Sequence, residues 1–394
     1  MKIKIDEIQK RIRQLNGDGW LFYDVHNRDH IAYKILGIND KKLTSRRWFY
    51  FIPKAGTSIK LVHRIENKRL ENIPGDTITY LGWQEMQLQL KNILSNSKKI
   101  FMQYSPLNNI PTISYADAGM VELIRSFNIE VLSSANLIQF FENQIDEYGI
   151  SLHRKAGEKI QIIKDMAFNL IISHINSDKI ITEYDVQKFI LAEFEKENLT
   201  CEGIYPIVAA NSHAADPHFE LTKKNSTIIK KNDRVLIDLW AKENMPNGIY
   251  YDITWCGYMG LFPPEEYSKL FNIVVHARDA AKNFIIERLK KEEPILGWEV
   301  DKVARDHIKN MGYGEYFIHR TGHSIHTSVH GNGANLDNLE TKDDREIIPG
   351  SCFSIEPGIY KNGIGVRSEI NVIIDYQKNL IIVGPEQQDL VLIK

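Results

Sequence analysis

A chain of 394 residues is longer than one hydrophobic core usually organises, so two domains are expected. With 43% hydrophobic and 25% charged residues the composition is that of a globular protein, and a formal net charge of −2 gives no electrostatic case for a nucleic-acid or membrane partner. Cys201, Cys256 and Cys352 are far apart, odd in number and in no metal-ligand spacing, which argues against a disulfide framework and for a reducing, cytoplasmic compartment.

The segment from Met1 to Leu15 alternates charge with isoleucine, which predicts an amphipathic helix and not a signal peptide. Trp20 to Tyr23 reads as a strand, Asp29 to Leu36 as a short helix, and Trp48 to Ile52 as a buried strand joined by the turn residues Pro53 to Thr57 to a second strand, Ile59 to Val62. Strand Thr77 to Leu81, helix Trp83 to Leu94, strand Ile100 to Gln103, helix Ala116 to Phe127 and strand Ile129 to Leu132 follow. The alternation predicts an α/β domain, and the absence of a Gly-rich strand-to-helix turn gives no sign of a nucleotide site.

Polar residues and Gly149 interrupt the pattern between Gln144 and Ile150, which places the domain boundary there: residues 1–145 and 146–394. Helical periodicity covers Ser151 to His174, Tyr184 to Glu197, Glu265 to Lys291 after the start signal Pro263-Pro264, and Trp298 to Met311 before Gly312. No stretch is long and apolar enough to span a bilayer as a helix. No internal repeat is visible.

Between these helices, four acidic residues and a histidine stand in apolar, strand-like segments: Asp238, Asp252, His323, Glu356 and Glu369. A buried carboxylate must be paired or metal-bound, because alone it would cost several kcal/mol and protonate instead. Carboxylates with one imidazole suit manganese, cobalt, iron or zinc. Their charge exceeds that of one divalent ion and suits a pair.

The segments Val235-Leu236-Ile237-Asp238, Tyr251-Asp252-Ile253-Thr254, Gly322-His323-Ser324-Ile325, Phe353 to Gly358 and Gly365 to Glu369 resemble, in order, the ligand motifs of the pita-bread metallopeptidases, and within them the Xaa-Pro aminopeptidases and prolidases. The resemblance is strong from about residue 145 onward and rests on size and pattern before it. It implies a creatinase/prolidase-like α/β N-terminal domain followed by an α+β pita-bread catalytic domain. It also implies two divalent ions, manganese first, a homodimer, and a substrate with proline at its second position.

By the same resemblance Asp252 and Glu369 are the bridging ligands, Asp238 serves one ion, and His323 and Glu356 the other. A water or hydroxide between the ions is then the nucleophile, with Glu356 as proton shuttle. His218, His319 and His330 match positions that line the family's substrate pocket, where an imidazole can donate to a developing oxyanion. His213 reads as a loop residue, His276 and His307 as structural. Arg367 would support a ligand carboxylate or form an exposed ion pair.

Taken singly, each ligand has a plainer reading: a strand-end Asp capping a turn, a structural histidine, a Glu in an ion pair. The apparent hairpin joining Asp238 to Asp252, and the histidines clustered near His323, favour metal. The chain departs from the family in a longer connection between Asp238 and Asp252, in Trp255 where arginine is usual, and in His326 where glycine is common. The expected activity is metal-dependent hydrolysis of the bond before proline, by an Xaa-Pro aminopeptidase or a dipeptidase. Other chemistry on the same fold and a non-catalytic interaction module are the alternatives. The full ligand set argues against the second and against a metal-free enzyme.

Overall fold

In the computed structural model, residues 4–39, 41–42 and 44–393 are described, and they divide into two compact units, Met1–Glu142 and Asn143–Lys394. The first unit contains α1 (Ile5–Gln14), β1 (Gly19–Asp24), α2 (His30–Leu36), β2 (Trp48–Pro53), β3 (Ile59–His63), β4 (Asp76–Tyr80), α3 (Trp83–Ile93), β5 (Lys99–Met102), α4 (Ala118–Arg125), β6 (Glu130–Ser133) and α5 (Ala135–Glu142). Its sheet has the order β4-β3-β2-β1-β5-β6. The predicted hairpin is present, with Phe51 opposite Ile59.

Trp20, Phe22, Trp48 and Tyr50 pack on one face of this sheet, and Leu21, Phe49 and Leu61 on the other. Both faces are therefore apolar, as the unbroken hydrophobic run of β2 requires. Helix starts follow local capping: Asp29 accepts a hydrogen bond from Ala32 N, and Asp117 from Met120 N. Residues 1–3 of the expected first helix lie outside the described residues. Helix α5 occupies a stretch for which the sequence pattern predicts no element.

The second unit continues with α6 (Glu147–Asn176), α7 (Glu183–Lys196), β7 (Leu199–Thr200), β8 (Ile207–Ala210), β9 (Arg234–Glu243), β10 (Tyr251–Tyr258), α8 (Glu265–Lys290), α9 (Gly297–Asn310), β11 (Ser324–Ile325), β12 (Cys352–Ile355), β13 (Gly358–Lys361), β14 (Ile364–Arg367), β15 (Ile370–Ile374), β16 (Leu380–Val383) and β17 (Val391–Leu392). Gly149 does not break the chain, as the sequence suggested. It sits in the first turn of α6, where its N–H is capped by the Asp146 side chain.

Strands β17, β10, β9 and β7 form one sheet with β8 beside β9, a second has the order β11-β12-β15-β16, and β13 pairs with β14. Helix α6 packs its buried face, Ile160, Ile163 and Phe168 among it, with Val235, Ile237 and Ile253 of β9 and β10. Helix α8 buries Phe271 and Val274 against Phe353 and Val366. No helix among the described residues is long and apolar enough to cross a membrane, and all three cysteines are free and buried.

Candidate metal centre

Strands β9 and β10 are antiparallel, with Asp238 opposite Thr254 and Trp240 opposite Asp252. Side chains alternate along a strand, so these four residues share one face of the hairpin. The longer connection is absorbed in residues 244–250 and the register of the stem is unbroken. Trp255 points to the other face, where the ammonium of Lys164 lies 3.4 Å from its ring centroid, so this departure from the family sits under α6.

His323 precedes β11 and Glu356 follows β12, and the pairing of those strands brings them together. Ser354 N donates to His323 O at 2.9 Å, His323 N donates to Ser354 Oγ at 3.0 Å, and Glu356 N donates to Thr321 O at 2.7 Å. Gly322 is needed for this approach, since a Cβ there would lie 2.1 Å from Ser354 O. Glu369 is tied to the hairpin through Thr254, whose hydroxyl donates to Glu369 Oε2 at 2.9 Å. Asn371 extends the tie, accepting from Asp252 N at 2.9 Å.

The result is a cleft of about 590 Å³ lined by all five expected ligands and by His218, His319 and His330. One ligand atom each from Asp252, His323 and Glu369 lie within 4.8 Å of one another. His323 Nε2 is 3.5 Å from Asp252 Oδ2 and 3.4 Å from Glu356 Oε1, while its Nδ1 faces Ser324 O. Asp238 Oδ1, Asp252 Oδ1 and Glu369 Oε1 are buried without a hydrogen-bond partner. Unsatisfied carboxylate oxygens around an imidazole nitrogen fit a divalent cation.

Electrostatics agree with that fit. Burial, reinforced by the charge of Asp238, pushes the Asp252 carboxyl well above the ordinary range, and burial with repulsion from Asp252 does the same to Glu369. Burial also raises Glu356, against the pull of His323 and Arg367. The buried Arg367 pairs with Asp238, donates to Thr254 Oγ1 at 3.0 Å and to Tyr360 OH at 2.7 Å, and lies 3.8 Å from Glu356. It is the internal support suggested by its position and not an exposed partner charge.

The three histidines differ. His319 Nδ1 faces Arg320 O at 2.7 Å and its Nε2 faces Tyr360 OH at 2.8 Å, so both nitrogens are engaged. Burial and the nearby Arg367 hold it down to about 3, which keeps it neutral: Nδ1–H donates, and Nε2 accepts from the tyrosine. His330 stands edge-on to His323 at 4.4 Å, and that neighbour together with burial holds it down to about 3. His218 lines the cleft and is exposed. Tyr360 and Arg320 were missed in the sequence. Tyr360 follows Glu356 by four positions in an apolar strand, which was its only signal.

Known proteins resemble this chain in sequence and in fold. A sequence model described as metallopeptidase family M24 matches residues 152–375. The chain is 28% identical over 264 residues to an uncharacterized peptidase of Staphylococcus aureus (strain USA300), covering 65% of this chain and 67% of the other. It is 33% identical over 215 residues to an Xaa-Pro dipeptidase of Lactobacillus helveticus, covering 54% and 52%. Among solved structures, a prolidase from Thermococcus sibiricus aligns over 100% of this chain and 99% of its own with TM-score 0.57 and 25% identity. The likeness extends over both units, an α/β N-terminal part and a pita-bread part.

Proposed function

The chain belongs to metallopeptidase family M24, and from that premise we propose that it hydrolyses the peptide bond between an N-terminal residue and proline, as an Xaa-Pro aminopeptidase. The observation that carries this reading is the trio of buried, unpartnered carboxylate oxygens on Asp238, Asp252 and Glu369 beside His323. These residues with Glu356 would hold two divalent ions, manganese first. Bound there, such ions supply Lewis acidity, lowering the pKa of water toward neutrality and polarising a carbonyl.

The chain's own groups supply the rest. Glu356 takes a proton from the attacking water at Oε and returns it to the leaving nitrogen. Neutral His330 and the exposed His218 donate N–H to the substrate oxygen as charge develops there. His319 holds Tyr360, which with Arg367 fixes Asp238. A homodimer and a cytoplasmic location belong to the same proposal, on the family resemblance and the free cysteines.

A second reading, cleavage of Xaa-Pro dipeptides, is favoured by Arg320. This residue lines the cleft, and its guanidinium makes no hydrogen bond or ion pair among the described residues. An unpaired guanidinium there suits a free substrate carboxylate. The deciding experiment is to assay manganese-loaded protein on an Xaa-Pro dipeptide, a longer Xaa-Pro peptide and their Xaa-Ala counterparts. Preference for proline supports the proposal, and equal rates on proline and alanine peptides overturn it.

A further inference from the structure

The far wall of the cleft comes from one stretch of chain: Pro217, His218, Phe219, Glu220 and Leu221 are consecutive and all line it. They lie in the segment between the end of β8 and Thr227, which has little regular structure beyond a turn of 3₁₀-helix at Asn211–Ala215. Such a segment needs an anchor to hold a binding wall in place.

The anchor is Glu183, the first residue of α7, whose side chain is fully buried. Its Oε1 accepts from Ala210 N at 2.7 Å and its Oε2 from Thr227 N at 2.8 Å, so one carboxylate joins the two ends of residues 211–226. Both oxygens also face His213 Nδ1, at 2.9 and 3.0 Å. The His213 ring in turn stacks on Phe219, with centroids 4.2 Å apart and planes at 24°. The backbone repeats the closure, because Glu183 N donates to Thr227 O at 3.1 Å.

Three N–H groups converge on this side chain, and only a carboxylate offers acceptors in both directions. A glutamine would turn its NH₂ against one of the donors and leave buried polar groups unpaired. The path from Glu183 through His213 to Phe219 then ends on the wall itself, next to His218. We propose that Glu183 and His213 are positioning residues that hold the 217–221 wall against the substrate, so that the binding step depends on a carboxylate–imidazole pair outside the metal cluster.

The activity arm of its test rests on the peptidase reading, and the structural arm does not. Hydrogen exchange and steady-state kinetics on an Xaa-Pro peptide are measured on the metal-loaded wild type, His213→Ala, His213→Asn and Glu183→Gln. In His213→Ala, amide exchange within 211–226 should accelerate about tenfold while β9 and β10 are unchanged, and KM should rise about tenfold with metal content intact, while kcat falls by much less than the roughly hundredfold expected for loss of His218 itself. His213→Asn carries an amide nitrogen at the same bond distance from Cα as Nδ1, and should restore most of the exchange protection.

Glu183→Gln should loosen the segment further. Unchanged exchange in His213→Ala, equal loosening of β9 and β10, or faster exchange with unaltered KM would each overturn the proposal. A wild type inactive on Xaa-Pro peptides would sink the peptidase reading instead, and exchange would still decide whether the pair closes the segment.

Discussion

Arg367 forms a buried ion pair with Asp238 across the floor of the cleft, and the same guanidinium reaches Tyr360 and Thr254. One cation among four carboxylates leaves an excess of negative charge that divalent ions would balance. Breaking a buried pair by removing one partner costs about 3–5 kcal/mol, because the other charge is left uncompensated. Arg367→Met should therefore lower the unfolding temperature of chelator-treated protein strongly, and less so in saturating manganese. Thermal unfolding with and without metal reads this difference, and an equal loss in both states would mean that Arg367 and metal do not share Asp238.

Removing a ligand should uncouple the centre. Asp252→Ala and Glu369→Ala each delete an acidic group whose free oxygen is buried, so both should lose bound metal and activity together. Chelation of the wild type should do the same, reversibly. A ligand present at a hundred times its Kd adds about 2.7 kcal/mol to folding stability, so manganese should also raise the wild-type melting temperature and not that of either variant. Elemental analysis showing full metal occupancy in both variants would refute the assignment.

His218 and His330 stand in the cleft without being placed among the ligands. Their alanine variants should keep metal while kcat falls about a hundredfold or more, the usual cost of one lost donor to an oxyanion. Metal loss in either would make that residue a ligand. His319→Ala differs in mechanism, because both of its nitrogens are already engaged and its loss frees Tyr360.

What the sequence made legible follows from which signals are local. Asp238, Asp252, His323, Glu356 and Glu369 stood out because a charged group inside an apolar strand is anomalous wherever the strand goes, and the structure brings all five to one cleft. Tyr360 and Asn371 gave no such signal, because their roles depend on partners distant in sequence, His319 and Asp252. His213 reads as a plain loop residue for the same reason: its partner Glu183 lies thirty positions away. The start of α6 is hidden in the sequence because Gly149 reads as a breaker unless Asp146 is recognised as its cap. Strands β7 and β17, two residues each, are too short for any period to appear.

Acid should weaken the N-terminal unit through Asp18. Its Oδ1 accepts from Lys54 Nζ at 2.8 Å and its Oδ2 from Lys98 N and Lys99 N, and these bonds, Lys54 foremost, lower its carboxyl to about 2. A depressed folded-state pKa gives stability that is full above the unfolded value near 4 and is lost as pH falls toward 2. Solvent reaches the pair, so about 1 kcal/mol is expected. Asp18→Asn should be less stable than wild type at pH 7, and the difference should vanish near pH 2. Denaturant titrations at the two pH values measure it.

Arg320 decides between the two substrate readings. Its guanidinium reaches the cleft that holds His323 and His330 but has no protein partner among the described residues, and its backbone N–H is held by Glu340. A charge-assisted hydrogen bond is worth about 1.5–3 kcal/mol, so losing one to a substrate carboxylate lowers kcat/KM by roughly tenfold to a hundredfold. An Xaa-Pro dipeptide carries that carboxylate on proline, whereas in a longer peptide the same position is a neutral amide. Arg320→Ala should therefore cost that factor on the dipeptide and little on an Xaa-Pro tripeptide with an amidated C-terminus, and Arg320→Lys should recover only part of it, lacking the bidentate fork. Equal losses on both peptides would make Arg320 a structural or general electrostatic residue and return the chain to the aminopeptidase reading.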